Sequence, residues 1–173
     1  MSRRERWRMF LAVLLVVVAL DQAAKLWART RLQGTPARVL WGGVARFEYA
    51  ENRGAFLSLG ADLPPGLREG ILTTLNAGLV AVLGLYLARG RHLDRRLTFA
   101  LSLLIAGGVG NLIDRLARGG AVVDFLILGL GRLHTGVFNV ADFCLTAGAV
   151  LFAFSSSSAA ARESGKGPEG SAG

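Results

Sequence analysis

Four apolar blocks dominate this chain and leave few architectures open to it. They run from about Met9 to Trp27, Leu67 to Ala88, Leu97 to Leu116 and Gly136 to Phe154. Each holds ~20 residues, enough to carry a helix across the hydrocarbon core of a bilayer. The 52% hydrophobic content and mean hydropathy of +0.44 exceed what a soluble domain shows. None of the blocks is a clean lipid-facing span, because Asp21, Gln22, Lys25, Asn76, Asn111 and Asp142 interrupt them. The first block follows "RRERWR" in the manner of a secretory leader. However, "DQAAKLW" puts bulky and charged residues where a cleavage site needs small ones, so we expect a retained span. The expected fold is an all-α membrane protein with four transmembrane helices.

The net charge of +8 is distributed as membrane topology requires rather than as nucleic-acid binding does. Arg3, Arg4, Arg6 and Arg8 precede the first block. Arg89, Arg91, Arg95 and Arg96 crowd the short connection between blocks two and three, and Arg162 and Lys166 follow block four. The positive-inside rule then places both termini in the cytoplasm. With that orientation, Asp21 and Lys25 fall at the outer end of span one, and Asn111, Asp114 and Arg115 at the outer end of span three. In span four Asn139 lies near the start and Asp142 about 9 Å deeper than the first residue, with Asn76 about 14 Å into span two. Polar groups collected in the outer halves of the spans predict one polar site at the extracytoplasmic surface. Cys144 alone cannot form an internal disulfide, and with only His92 and His134 no metal site or cofactor is expected.

The connection after span one carries β-branched and aromatic residues with partial alternation and turn signals at "GG" and "ENRG". It predicts a small extracytoplasmic β-cradle at about 37–60. The connection from Ala117 to Thr135 reads as a short apolar loop resting on the bundle. Residues 1–154 then form one membrane domain, and the Ser- and Gly-rich residues 155–173 a disordered cytoplasmic tail.

Ionisable groups within spans are functional candidates, since an Asp at the centre of a span costs at least ~2.5 kcal/mol. Structural roles compete with that reading. Asp21 and Lys25 are spaced as a helix-end ion pair, and Asp114 with Arg115 suits an interfacial pair or a snorkelling arginine. Asp142 has no basic neighbour in sequence and needs a partner from elsewhere. Asp124, in "VVDFL", is the other acid with apolar flanks; a loop cap is its structural reading. Two carboxylates at close range suit peptide hydrolysis, one taking a proton from water and the other donating one to the substrate. A Ser58–Lys25 pair is a weaker design. "GGVGNLIDRL" lacks the G-K-[ST] of a phosphate loop, and its glycines fit close helix packing better. From another class, a small proton-coupled transporter subunit would also hold intramembrane acids, but at several depths.

Five ordered blocks, "DQAAKLW", "ENRGAFLSLG", "GGVGNLIDRL", "VVDFL" and "FNVADF", together resemble the lipoprotein signal peptidases (signal peptidase II) from about Leu20 to Leu151. The resemblance implies four transmembrane helices with a periplasmic β-cradle in the bacterial inner membrane. It also implies aspartyl-protease cleavage of diacylglyceryl-modified prolipoproteins just before the lipidated cysteine, and inhibition by globomycin-like peptides. Residue by residue, it implies Asp124 and Asp142 as the catalytic pair. Asp21, Lys25, Asn52, Gly54, Asn111, Asp114, Arg115 and Asn139 become substrate-binding or site-supporting positions. Membrane lipids are implied partners. The chain departs from the family pattern at Ala55 and Phe56, where "NRGAFLSL" stands for the more familiar Asn-x-Gly-Ala-Ala-Phe.

Overall fold

The computed structural model describes residues 1–54, 63–90, 93–130 and 133–164. Ala55, Phe56, Ser58, Arg91, His92, Lys166 and the last quarter of the expected cradle lie outside the described residues.

Helix α1 (Arg3–Arg31) starts at Ser2, whose hydroxyl and backbone exchange hydrogen bonds with Glu5 in a capping box. Helix α2 (Pro65–Arg89) begins with a proline at its first position, where no N–H is needed. Helix α3 (Arg95–Ala117) is capped by Asp94. Helix α4 (Val140–Ser164) starts behind Asn139 and continues well past the expected tail boundary at 154. The stretch there, "SSSSAAARES", has no glycine or proline to stop it and extends a helix already nucleated upstream.

Three of these helices, α1, α2 and α3, are long and apolar enough to cross a membrane, and α4 has a shorter apolar stretch, Val140–Ser155. Helix α3 is the hub. Of its apolar window 61% is buried, against 6% for α2, which leans on α3 and turns Leu75, Leu79 and Val82 outward. The glycines of α3 make this packing close. A Cβ at Gly110 would stand 2.8 Å from Asp21 Oδ2 and 3.2 Å from Ala141 Cβ, so α1 and α4 both approach where this residue has no side chain. The arginines before span one are not all free charge: Arg6 is buried and donates to the Ala88 and Gly90 carbonyls at the C-terminal end of α2.

The sheet differs from the expected cradle in where its strands come from. Strands β1 (Arg38–Leu40) and β2 (Ala45–Asn52) lie in the first connection, but β3 (Val122–Leu130) and β4 (Leu133–His134) come from the second. They pair antiparallel in the order β1-β2-β3-β4. The segment expected to be a loop is therefore the longest strand of the sheet. Its near-continuous apolar run hid the alternation that marks a strand, because both faces are buried from Val122 to Phe125, one of them under α1. Val123 and Phe125 pack there with Ala28 and Leu32, and Trp27 sets its ring edge-on to Phe47 and Phe125. The register is irregular between Phe47 and Ala50, and beyond this point Ala50 pairs with Asp124 and Asn52 with Val122. Asn52 and Asp124 thus share a face of the sheet.

Gly110→Val should force α1 and α4 away from α3. Thermal unfolding in detergent should show a loss of ~1–3 kcal/mol of stability; an unchanged melting temperature would mean that the helices do not approach as closely as described.

Candidate active site

The site is built from the bottom by one ammonium. Asp21 and Lys25 stand one turn apart on α1 and so face the same way. Both are fully buried, with Lys25 Nζ 2.8 Å from Asp21 Oδ2. The same nitrogen lies 3.2 Å from Asp114 Oδ2 and 3.0 Å from Asn111 Oδ1, both on α3. An ammonium has three hydrogens, and all three have acceptors here. The carboxylates are tied further. Asp21 Oδ1 accepts from the Ala141 N–H of α4 at 2.9 Å, and Asp114 Oδ2 from the Val123 N–H of β3 at 3.0 Å. Gln22 Nε2 joins Asp21 to the Gly110 carbonyl. This cluster binds α1, α3, α4 and β3 at one level.

Two expectations change here. Asp21 and Lys25 do pair, but inside the bundle rather than as an exposed helix-end pair. Asp114 does not pair with Arg115: it accepts from Lys25 and from Arg118 Nε, one turn further on. Arg115 instead donates to the Gly120 carbonyl at 2.9 Å and holds the turn that leads into β3. Successive helical residues project about 100° apart, so neighbours in sequence are poor candidates for a pair. Arg118 was absent from the expected site, although its i, i+4 spacing from Asp114 was a legible signal.

Above the cluster lie the two candidate carboxylates. Asp124 is mid-strand on β3, not a loop cap, and is buried. Its Oδ1 accepts from Asn139 Nδ2 at 2.7 Å and its Oδ2 from Asn52 Nδ2 at 3.1 Å. Asp142 is less deep than expected. Residues before Val140 are not helical, so Asp142 belongs to the first turn of α4 and is only partly buried. Its backbone N–H donates to Asn139 Oδ1, while its own Oδ2 accepts from the Asn139 N–H, a reciprocal cap of the helix start. Its Oδ1 accepts from Asn111 Nδ2 at 2.8 Å. Helix capping thus gives Asp142 a structural role that its sequence position concealed.

Asn139 therefore touches both carboxylates, and its Nδ2 also approaches Asn111 Oδ1 and the Val123 carbonyl. Asn52 is oriented by the Gly54 N–H, which donates to its Oδ1 at 2.9 Å. Gly54 has φ +104°, and a Cβ there would collide with Leu72, so no other residue fits the turn without strain. Every expected site residue thus belongs to one connected region, with Arg115 reaching it through the 118–120 turn. Among the described residues no three of His, Cys, Asp and Glu are grouped to hold a metal ion.

Burial, with the Asp142 carboxylate adding to it, pushes Asp124 from the usual 3.8 to about 6, against the pull of Asn52, Asn139 and Lys25. A carboxyl group that keeps its proton toward neutrality, beside a second carboxylate, has the makings of a general acid and base.

The family model for signal peptidase (SPase) II matches residues 13–157. This chain belongs to the signal peptidase II family. It is a bacterial membrane protein and an aspartic-type signal peptidase. A lipoprotein signal peptidase of Desulforapulum autotrophicum is 38% identical over 140 residues, covering 80% of this chain and 85% of that one. One from Streptococcus pyogenes serotype M2 is 33% identical over 144 residues, covering 83% and 90%. Two solved structures, each described as a bacterial membrane enzyme determined in meso, share the fold. One has a TM-score of 0.75 at 23% identity over 95% of this chain and 94% of that one, and the other 0.70 at 25% over 84% and 90%. The transporter reading finds no support in these likenesses.

The pH dependence of stability in this signal peptidase follows from Asp124. The native carboxyl holds its proton up to about 6, while the unfolded one releases it near 3.8. Between those values the native state binds more protons, so stability falls as pH rises through the window. Asp124→Asn should flatten the melting temperature against pH between about 4 and 6 and raise it near pH 7. Parallel curves for the two proteins would overturn the assignment.

Proposed function

We propose that this signal peptidase cleaves the signal peptide from diacylglyceryl-modified prolipoproteins, immediately before the lipidated cysteine, with Asp124 and Asp142 as the catalytic pair. The observation that carries the reading is Asn139, whose Nδ2 donates to the Asp124 carboxylate and whose backbone N–H donates to the Asp142 carboxylate, although the two acids stand on a strand and a helix from different layers. Asp142, part-exposed at the start of α4, takes a proton from water as it attacks the peptide carbonyl. Asp124, buried and holding its proton toward neutrality, donates it to the carbonyl oxygen; as the tetrahedral intermediate collapses, Asp142 passes the proton taken from water to the leaving nitrogen and Asp124 recovers its own. Asn52 and Gly54, at the end of β2, offer amide groups to an extended peptide, and β2 and β3 form the floor on which it would lie.

The substrate chemistry fits this placement. A signal peptide is itself a membrane helix and a diacylglyceryl group belongs in the lipid. A scissile bond between them reaches a site at the boundary between bundle and sheet. We place α4 across the membrane as a fourth span beside α3, with both termini cytoplasmic and the sheet on the outer face of the inner membrane. The arginines flanking α1 and joining α2 to α3 support that orientation. Membrane lipids surround the bundle, and globomycin-like peptides compete for the substrate groove.

Purified protein in lipid nanodiscs, supplied with a lipid-modified prolipoprotein, provides the test. Asp124→Asn and Asp142→Asn should each reduce cleavage by at least ~100-fold, as loss of a general acid or base does. Normal cleavage by either variant would refute the pair, and no cleavage by folded wild type would refute the substrate. Asp21→Asn should reduce activity only partially.

A further inference from the structure

We propose that Lys25 is a positioning residue for the reaction: through Asn111 it decides which end of an amide faces Asp142. The proposal rests on the reading of Asp124 and Asp142 as the catalytic pair.

An asparagine amide has an accepting end and a donating end of nearly equal shape, so its orientation is set by its partners. Three such amides surround the pair. Each is gripped at its oxygen by a group that can only donate. Asn52 Oδ1 takes the Gly54 N–H at 2.9 Å, Asn139 Oδ1 the Asp142 N–H at 2.9 Å, and Asn111 Oδ1 the Lys25 ammonium at 3.0 Å. The NH2 end of each is thereby turned to a carboxylate oxygen: Asn52 and Asn139 to the two oxygens of Asp124, and Asn111 to Asp142 Oδ1. Turning Asn111 around would set its NH2 against an ammonium and against the Asn139 NH2, and its oxygen against the Asp142 carboxylate. Asp142 Oδ1 is therefore held as an acceptor at 2.8 Å, while Oδ2 takes only the longer Asn139 N–H contact at 3.3 Å and is the oxygen freer to take up a proton. That choice aims the base.

Two of the three grips are backbone N–H groups, which no exchange short of proline removes. Lys25 is the charged grip and is made by a side chain, and it reaches Asn111 Oδ1 more closely than Asn139 Nδ2 does, at 3.0 against 3.2 Å. Its burial between Asp21 and Asp114 has a purpose beyond joining helices: with two carboxylates holding the ammonium, its third hydrogen is directed at Asn111.

Lys25→Met alone would strand two buried carboxylates, so the test uses an Asp21→Asn background. Turnover and KM are measured per folded protein, with folding checked by thermal unfolding, for D21N, D21N/K25M and D21N/K25Q. Each is measured with Asn111 and with Asn111→Ala. D21N/K25M should lower kcat about tenfold relative to D21N with KM little changed, and the loss should vanish in the Asn111→Ala background because both changes break one chain of contacts. Glutamine, still an N–H donor without charge, should restore most of kcat. Additive losses in the Asn111→Ala background, or a change confined to KM, would overturn the proposal. Failure of every Lys25 variant to fold would make the residue structural and overturn it too. An inactive Asp142→Asn control shows that such failures concern Lys25 alone; an active one would sink the catalytic pair itself.

Discussion

A single buried ammonium sits where every layer of this molecule meets. Lys25 has no water to solvate it, and its three hydrogens are taken by Asp21, Asp114 and Asn111. Those partners reach onward to the Ala141 N–H at the start of α4 and the Val123 N–H of β3. Removing one member of such a group leaves an uncompensated charge in a low-dielectric interior, at a cost of ~3–5 kcal/mol. The cluster thereby specifies the relative height of α1, α3, α4 and the sheet, which apolar packing in a lipid environment specifies only loosely.

The candidate site inherits its order from that cluster. Asp124 follows Val123 by one residue, and Asp142 follows Ala141 by one, so each candidate carboxylate neighbours a backbone N–H held by the ion cluster. Alternation then points the next side chain on the strand away from the cluster side, and the helix turn rotates Asp142 toward Asn111. Backbone anchoring one residue away positions a reactive side chain without occupying its own hydrogen-bonding capacity. The amides of Asn52, Asn111 and Asn139 fill that capacity with neutral donors, which stabilise a carboxylate without the large shift a cation would bring.

Much of this was legible beforehand, and the exceptions share causes. The helices followed from hydropathy and charge placement, and the residues that the structure gathers into one region were those named by five motifs in order. The depth of Asp142 did not, because an apolar run from Gly136 does not reveal that its first residues are extended and that Asn139 starts the helix. The pairing of Asp114 with Arg115 was a guess from adjacency; the helical repeat favours Arg118 and the third dimension adds Lys25. Strand β3 was hidden because it is buried on both faces from Val122 to Phe125 and so loses the alternation that betrays a half-exposed strand. The dual use of Arg6, a topology charge that also closes the end of α2, leaves no trace in the sequence at all.

By itself the sequence determined a membrane-embedded chain with polar residues at one end of its spans and two isolated acids among apolar neighbours. Period, length and charge asymmetry are local properties, and a linear reading recovers them. Only the tertiary structure decided that the second connection supplies half of a sheet begun by the first, and that Asp124 and Asp142 meet across Asn139. It alone decided that one lysine orders the amide beside the base. Those facts depend on contacts between segments far apart in the chain, where hydrogen-bond direction rather than residue type determines what each group can do.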